Sequence, residues 1–220
     1  MIITNPSDRP SERFLQVINS YFIDRGYTFL KSKKSYKKTF DQGFYLIKFD
    51  FRISLFVTVN MWWSITFEKF EKLFAQLAGN PKSYKLRFTM GNDIIHYTRW
   101  FNHPVREFPL FNNKTNEHDD FSINQGAAGI INFYETYTVP YFDKYNTYEK
   151  LERFYNEGEE KHIKGLLLAK YLDRPYYLDL AETINKQIEM NNSNSKDRMQ
   201  EFLAETMNYL NHNDIKKALD

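Results

Sequence analysis

No cysteine occurs among the 220 residues. Disulfides, thiolate zinc sites, iron–sulfur ligation and a thiol nucleophile are therefore excluded. Disulfide scaffolds mark many small secreted domains, so their absence points to a reducing compartment, and a cytoplasmic location is expected. Long apolar runs are missing as well: no window approaches the roughly 18 uncharged apolar residues of a membrane-spanning helix. Met1 to Arg13 carries Asp8 and Glu12 and is interrupted by proline and serine, which is not the layout of a secretion signal. Fixed-spacing catalytic signatures are absent too: there is no G-x-S-x-G, no Walker loop, no G-x-G-x-x-G and no H-E-x-x-H. Nor does any segment repeat with a fixed period, which argues against a solenoid. No cofactor is expected.

What the chain has in quantity is rings. Phe, Tyr and Trp make up 18% of it, within an apolar total of 42%. Each large ring buries on the order of 150–250 Å², and a chain of this length hides roughly 70% of its unfolded surface. A packed core is affordable, and the disordered class is excluded. The net charge of +2 selects no partner. Its distribution is uneven: residues 25–48 hold seven Lys or Arg against one Asp, and residues 107–160 hold eleven Asp or Glu against four Lys or Arg. Such polarity can steer a partner, although solvated surface is the plainer reading.

Apolar periodicity predicts a first helix over residues 11–24, from Phe14, Ile18, Tyr21 and Phe22, stopped by Gly26. Short strands follow at 27–30 and 35–40, with a tight connection at Asp41-Gln42-Gly43. Tyr45, Ile47, Phe49, Phe51 and Ile53 then alternate with Lys48, Asp50 and Arg52, and the parity runs on through Leu55, Val57, Val59 and Met61. Period two means one buried and one wet face. An unbroken strand of that length would span roughly 56 Å, so a bend, bulge or break is expected near Arg52 to Ser54. Glu68 to Leu77 reads as a helix ended by Gly79-Asn80-Pro81. Residues 85–90 and 94–100 read as a hairpin around Gly91-Asn92-Asp93. Residues 102–120 read as irregular and as the dividing line between subdomains. The rest reads as helices: one over 123–137, kinked or ended by Pro140; one capped by Asn146 with Glu149 at N3; then 159–172, 175–190 and a last one carrying Met199, Leu203, Thr206 and Leu210.

Three constellations could carry function. Met61-Trp62-Trp63 follows the alternating strand, and consecutive strand residues face opposite sides. Trp62 and Trp63 therefore cannot share one core layer, and one of them could anchor a protein partner, with Glu117, Asp119 and Asp120 of the acidic stretch facing that partner. Second, His96, His103, His118 and Asp120 could together hold a divalent ion for a metal-dependent enzyme, although no pair has helical i, i+4 spacing. Third, Lys33, Lys34, Lys37 and Lys38 lie among Tyr36 and Phe40, a mixture that can grip nucleic acid. Against this stand a sequence pI of about 8.5 and the use of lysine to protect sheet edges, so nucleic acid is not the expected partner. Gly126-Ala127-Ala128-Gly129 reads as a close-packing patch.

The stretch Gly26-Tyr27-Thr28-Phe29-Leu30-Lys31-Ser32-Lys33-Lys34, followed by Lys37-Lys38, Phe40 and the strand from Phe44 to Phe51, resembles small bacterial domains of unknown function, some of which look like immunity or toxin-neighbourhood proteins. In them a first helix precedes a meander of antiparallel strands. The resemblance covers about residues 11–75, implies an intracellular bacterial protein, and carries over no catalytic residue. The expectation is thus an α+β fold: an N-terminal helix, an antiparallel sheet of about five strands, and a C-terminal helical half packed on it. It would form one domain over 1–220, divisible into 1–118 and 119–220. The expected role is non-enzymatic protein binding or regulation, possessing an immunity-type form, with one protein partner and no membrane. The metal-dependent enzyme and the nucleic-acid binder are the alternatives.

Overall fold

A computed structural model of the chain describes residues 10–53, 56–79, 89–100, 108–112, 120–159, 161–190 and 194–220. Two compact units emerge, each discontinuous in sequence: a sheet unit of Met1–Thr66 with Thr89–Phe142, and a helical unit of Phe67–Phe88 with Asp143–Asp220. Neither border falls at 118/119.

The sheet unit opens with helix α1 (Pro10–Asp24). Strands β1 (Thr28–Leu30) and β2 (Ser35–Phe40) are joined by a 3-10 turn, Lys31–Lys33. That turn is closed by Lys34 at φ 46°, a left-handed conformation unusual for a side chain with a Cβ. Strand β3 (Gly43–Ile53) follows a two-residue connection that pairs Phe40 with Gly43. The alternating run is not one strand: β3 ends at Ile53 and β4 (Phe56–Phe67) begins after the expected break. The two strands are neighbours in a six-stranded sheet ordered β1-β2-β3-β4-β5, with β6 also pairing with β4.

Parity survives the break. Ile47, Phe49, Val57, Val59, Met61, Trp63 and Ile65 are all buried. On β2 the same layer receives Tyr36, opposite Ile47. The apolar stripe of α1 lies on it: Phe14 meets Phe49 edge-on at 5.5 Å, and Phe22 stacks on Tyr36 at 4.8 Å. Strand β5 (Met90–Asp93) leads straight into helix α3 (Ile94–Trp100). The hairpin expected around residues 91–93 is therefore corrected: residues 94–100 are helical, because Asp93 caps them by accepting from the backbone N–H of His96 at 3.1 Å. Residues 85–88 lie outside the described residues. Strand β6 (Phe108–Asn112), within the stretch read as irregular, pairs with residues 56–59 of β4 through a bulge that leaves Leu110 without an opposite residue.

Helix α4 (Asp120–Phe133) covers β6. A Cβ on Gly126 would come within 2.5 Å of Leu110, and one on Gly129 would collide with the ring of Phe108. The small residues therefore permit the close helix–strand approach expected of them. Pro140 does not end the helical run, which continues to Tyr145. A π-helical segment, Tyr134–Thr138, precedes α5 (Val139–Tyr145), and Val139 N–H reaches back to Tyr134 O. Widening the turn accommodates a residue that has no N–H and would crowd the carbonyl four positions back.

The helical unit contains α2 (Glu68–Leu77), α6 (Tyr148–Glu157), α7 (Ile163–Tyr171), α8 (Tyr177–Met190), α9 (Lys196–His212) and α10 (Ile215–Leu219). Helix α7 is its axis: Leu166, Leu167, Leu168 and Ala169 are all fully buried, as befits a helix apolar on every side. Thr147, not Asn146, caps α6, accepting from Lys150 N at 3.3 Å, while Asn146 accepts from the Lys150 ammonium at 2.9 Å. No helix of the described residues is long and apolar enough to cross a membrane.

Candidate functional site around Trp62 and His96

Trp62 and His96 meet at one edge of the sheet. Strand β4 has β3 on one side, and on the other β6 pairs with residues 56–59 while β5 pairs with residues 62–65. Asn60 and Met61 fall between the two partners. Helix α3 leaves β5 beside this gap and sends consecutive rings to opposite sides. Tyr97 packs on Trp63 at 5.7 Å, whereas His96 lies 6.4 Å from Trp62. Trp63 is 1% exposed, packed also against Phe133 and Tyr141. Trp62 is 37% exposed.

Asp93 sits opposite Trp62 in the strand register. Its carboxylate is almost wholly buried and takes two bonds from one residue, the backbone N–H of His96 and its ring Nδ1 at 2.5 Å. A buried carboxylate requires such donors. In exchange the imidazole is oriented: with Nδ1–H committed to Asp93, a neutral ring keeps its lone pair on Nε2, and the side chain is 61% exposed. The arrangement can accept a hydrogen bond. Asn60, two residues before Trp62 and on the same face, is 3% exposed, and its Oδ1 has no hydrogen-bond partner among the described residues.

The other expected residues are not brought here. His103, His118, Glu117 and Asp119 lie outside the described residues, and Asp120 starts α4 with its side chain outside them. Among the described residues no three His, Asp or Glu side chains group as a metal site. The acidic stretch is partly consumed internally. In the sheet unit Glu135 pairs with Arg25 at 2.8 Å and accepts from the Tyr21 hydroxyl. In the helical unit Glu152 is buried and accepts from Tyr176 at 2.9 Å.

The lysines do not share a face. Lys37 lies over Phe44 at 4.1 Å, its neighbour Lys38 is 5.8 Å from Tyr27, and Lys34 is 5.6 Å from Phe51. Lys33 is the last residue of the 3-10 turn. Adjacent strand positions point oppositely, and the two rings that would stack bases are engaged within the protein: Tyr36 is buried and stacked on Phe22, and Phe40 lies 4.9 Å from Tyr45.

Asp93-x-x-His96 was legible as a cap spacing, but its glycine-asparagine neighbourhood favoured a turn. Asn60 gave no local signal, since the gap it occupies is created by strands distant in sequence. Comparison with protein-family models, curated proteins and solved structures finds no match to this chain.

Proposed function

We propose that the chain is a non-catalytic binding protein that takes one protein partner on the β4–β5 edge, its sharpest form being an immunity-type inhibitor in the bacterial cytoplasm. The observation that carries this reading is the exposure of Trp62 beside an imidazole held rigid by a buried carboxylate. Tryptophan is prominent among residues that dominate association energy, and a preoriented polar neighbour lowers the ordering cost of binding. The patch offers a ring face and an acceptor nitrogen. It therefore suits a basic segment, whose arginine can lie on the indole while donating to Nε2.

The test is affinity capture from the native host with the wild-type chain and with Trp62→Ala. One stable partner bearing a basic surface, weakened by salt and lost with Trp62→Ala, is expected. Identical captures by both proteins, or none by either at low salt, count against the reading. The Asp93–His96 pair also favours a second reading, a metal-dependent enzyme in which His96 acts with His103, His118 and Asp120. Metal content of the purified protein and a thermal shift on adding zinc or manganese decide it. Loss of the shift in His96→Ala supports it, and no retained metal with no shift removes it.

A further inference from the structure

The helical unit contains a cleft of about 580 Å³. Its floor is aliphatic and aromatic: Ile163, Ile184 and Ile188 are buried at 6%, 3% and 2%, and Phe74 meets Phe202 edge-on at 5.3 Å. Two methionines stand at the opening, Met190 at 79% and Met199 at 38% exposure. Unbranched thioether side chains adapt to differently shaped guests. The volume falls within the range of small-molecule sites, which combine an apolar lining with a few placed polar groups.

The polar end is built from adjacent residues. His162 caps α7 with its ring, Nδ1 accepting from Lys164 N–H at 3.0 Å. An imidazole that accepts at Nδ1 carries its proton on Nε2 in the neutral form. The residue is exposed overall, but its ring packs against Phe74 and Tyr155, and that desolvation together with the nearby Lys164 lowers its pKa below the ordinary value, which keeps it neutral near pH 7. No described residue takes the Nε2–H. Beside it the Lys161 ammonium donates to the carbonyls of Asn156 and Gly158. Gln187 fixes this segment to α8, accepting from Lys161 N at 3.0 Å and donating to Glu159 O at 2.7 Å. The rim thus presents donors and a cation above an apolar floor.

We infer that this cleft binds a small amphiphile, a medium-length aliphatic chain ending in a carboxylate, with the chain on the isoleucine floor and the head at His162 Nε2–H and Lys161. The site is separate from the Trp62 edge, and its fate does not depend on the partner proposed there.

The experiment titrates the full chain, labelled with ¹³C at its methionine methyls, with decanoate and with decanol. Decanoate shifts Met190 and Met199 saturably and leaves Met61, buried in the sheet unit, unmoved. His162→Asn separates head recognition from folding, because asparagine is a good helix cap but lacks the Nε2–H. It weakens decanoate about tenfold, leaves decanol unchanged, and keeps the wild-type Met61 signal. Absence of any shift at millimolar decanoate overturns the inference. Equal affinity of decanoate and decanol with no effect of His162→Asn also overturns it, as does a response to a leucine–lysine amphipathic helical peptide but not to decanoate. Movement of Met61 together with the others marks detergency and overturns it equally.

Discussion

The ammonium of Lys164 lies 2.6 Å from the carboxylate of Glu71, a side chain with no exposure at all. The lysine nitrogen lies 4.9 Å from the centroid of the Phe74 ring, and the second carboxylate oxygen of Glu71 has no hydrogen-bond partner among the described residues. Removing only the cation strands a buried charge. Lys164→Met is expected to cost about 3–5 kcal/mol in urea unfolding. Lys164→Met combined with Glu71→Leu should regain most of that loss. A double variant as unstable as the single one would show that the pair does not account for the effect.

Trp62 and Trp63 should separate stability from binding. Trp63→Ala empties the layer between Tyr97, Phe133 and Tyr141 and is expected to cost about 3–5 kcal/mol. Trp62→Ala should cost about 1 kcal/mol or less, because its ring is substantially exposed. Denaturant midpoints of the two variants, measured at a common slope, give the comparison.

Much of this layout can be read from the chain because alternation is a local property. The alternation running through Ile47, Phe49, Val57, Val59 and Met61 announces the buried face before any neighbour is known. Residues 94–100 were harder: Ile94 and Ile95 suit a strand, and only the reach of the Asp93 carboxylate to a backbone N–H three residues on turns them helical. Strand β6 owes its state to β4, some fifty positions earlier, and to the helix above it, neither of which is visible in a window around Pro109. The site followed the same division. Trp62 could be named from strand parity and His96 from its chemistry, but their proximity depends on where β5 joins the edge.

Gly129→Ala has a diagnostic sign. In an open helix, alanine is worth about 1 kcal/mol more than glycine. Here the added methyl meets the Phe108 ring, so a loss of about 1–3 kcal/mol is expected. Gly129→Ala with Phe108→Leu should be less unstable than Gly129→Ala alone. Thermal melts of the three proteins check the prediction, and a stabilised single variant would contradict the packing described for α4.

Acidification should weaken the fold through His162. Desolvation of the ring and Lys164 depress its folded pKa below the unfolded value near 6.5, so the unfolded state binds the proton more readily. The contribution is intact above about pH 6.5 and is lost as pH falls through the folded pKa. Urea unfolding between pH 7.5 and 5.5 should show a steeper loss for the wild type than for His162→Asn. Parallel losses would mean that other groups dominate.

The interleaving of the two units governs how the chain can be made. The layer carrying Trp63 is laid down early, yet its cover from α4 and α5 leaves the ribosome only after the insert spanning residues 67–88 has been synthesised. During that interval the nascent strands expose an uncovered aromatic surface, the kind of intermediate on which chaperones act. Separate expression of 1–118 and 119–220 would divide both units, so neither fragment is expected to accumulate as a soluble, cooperatively melting species.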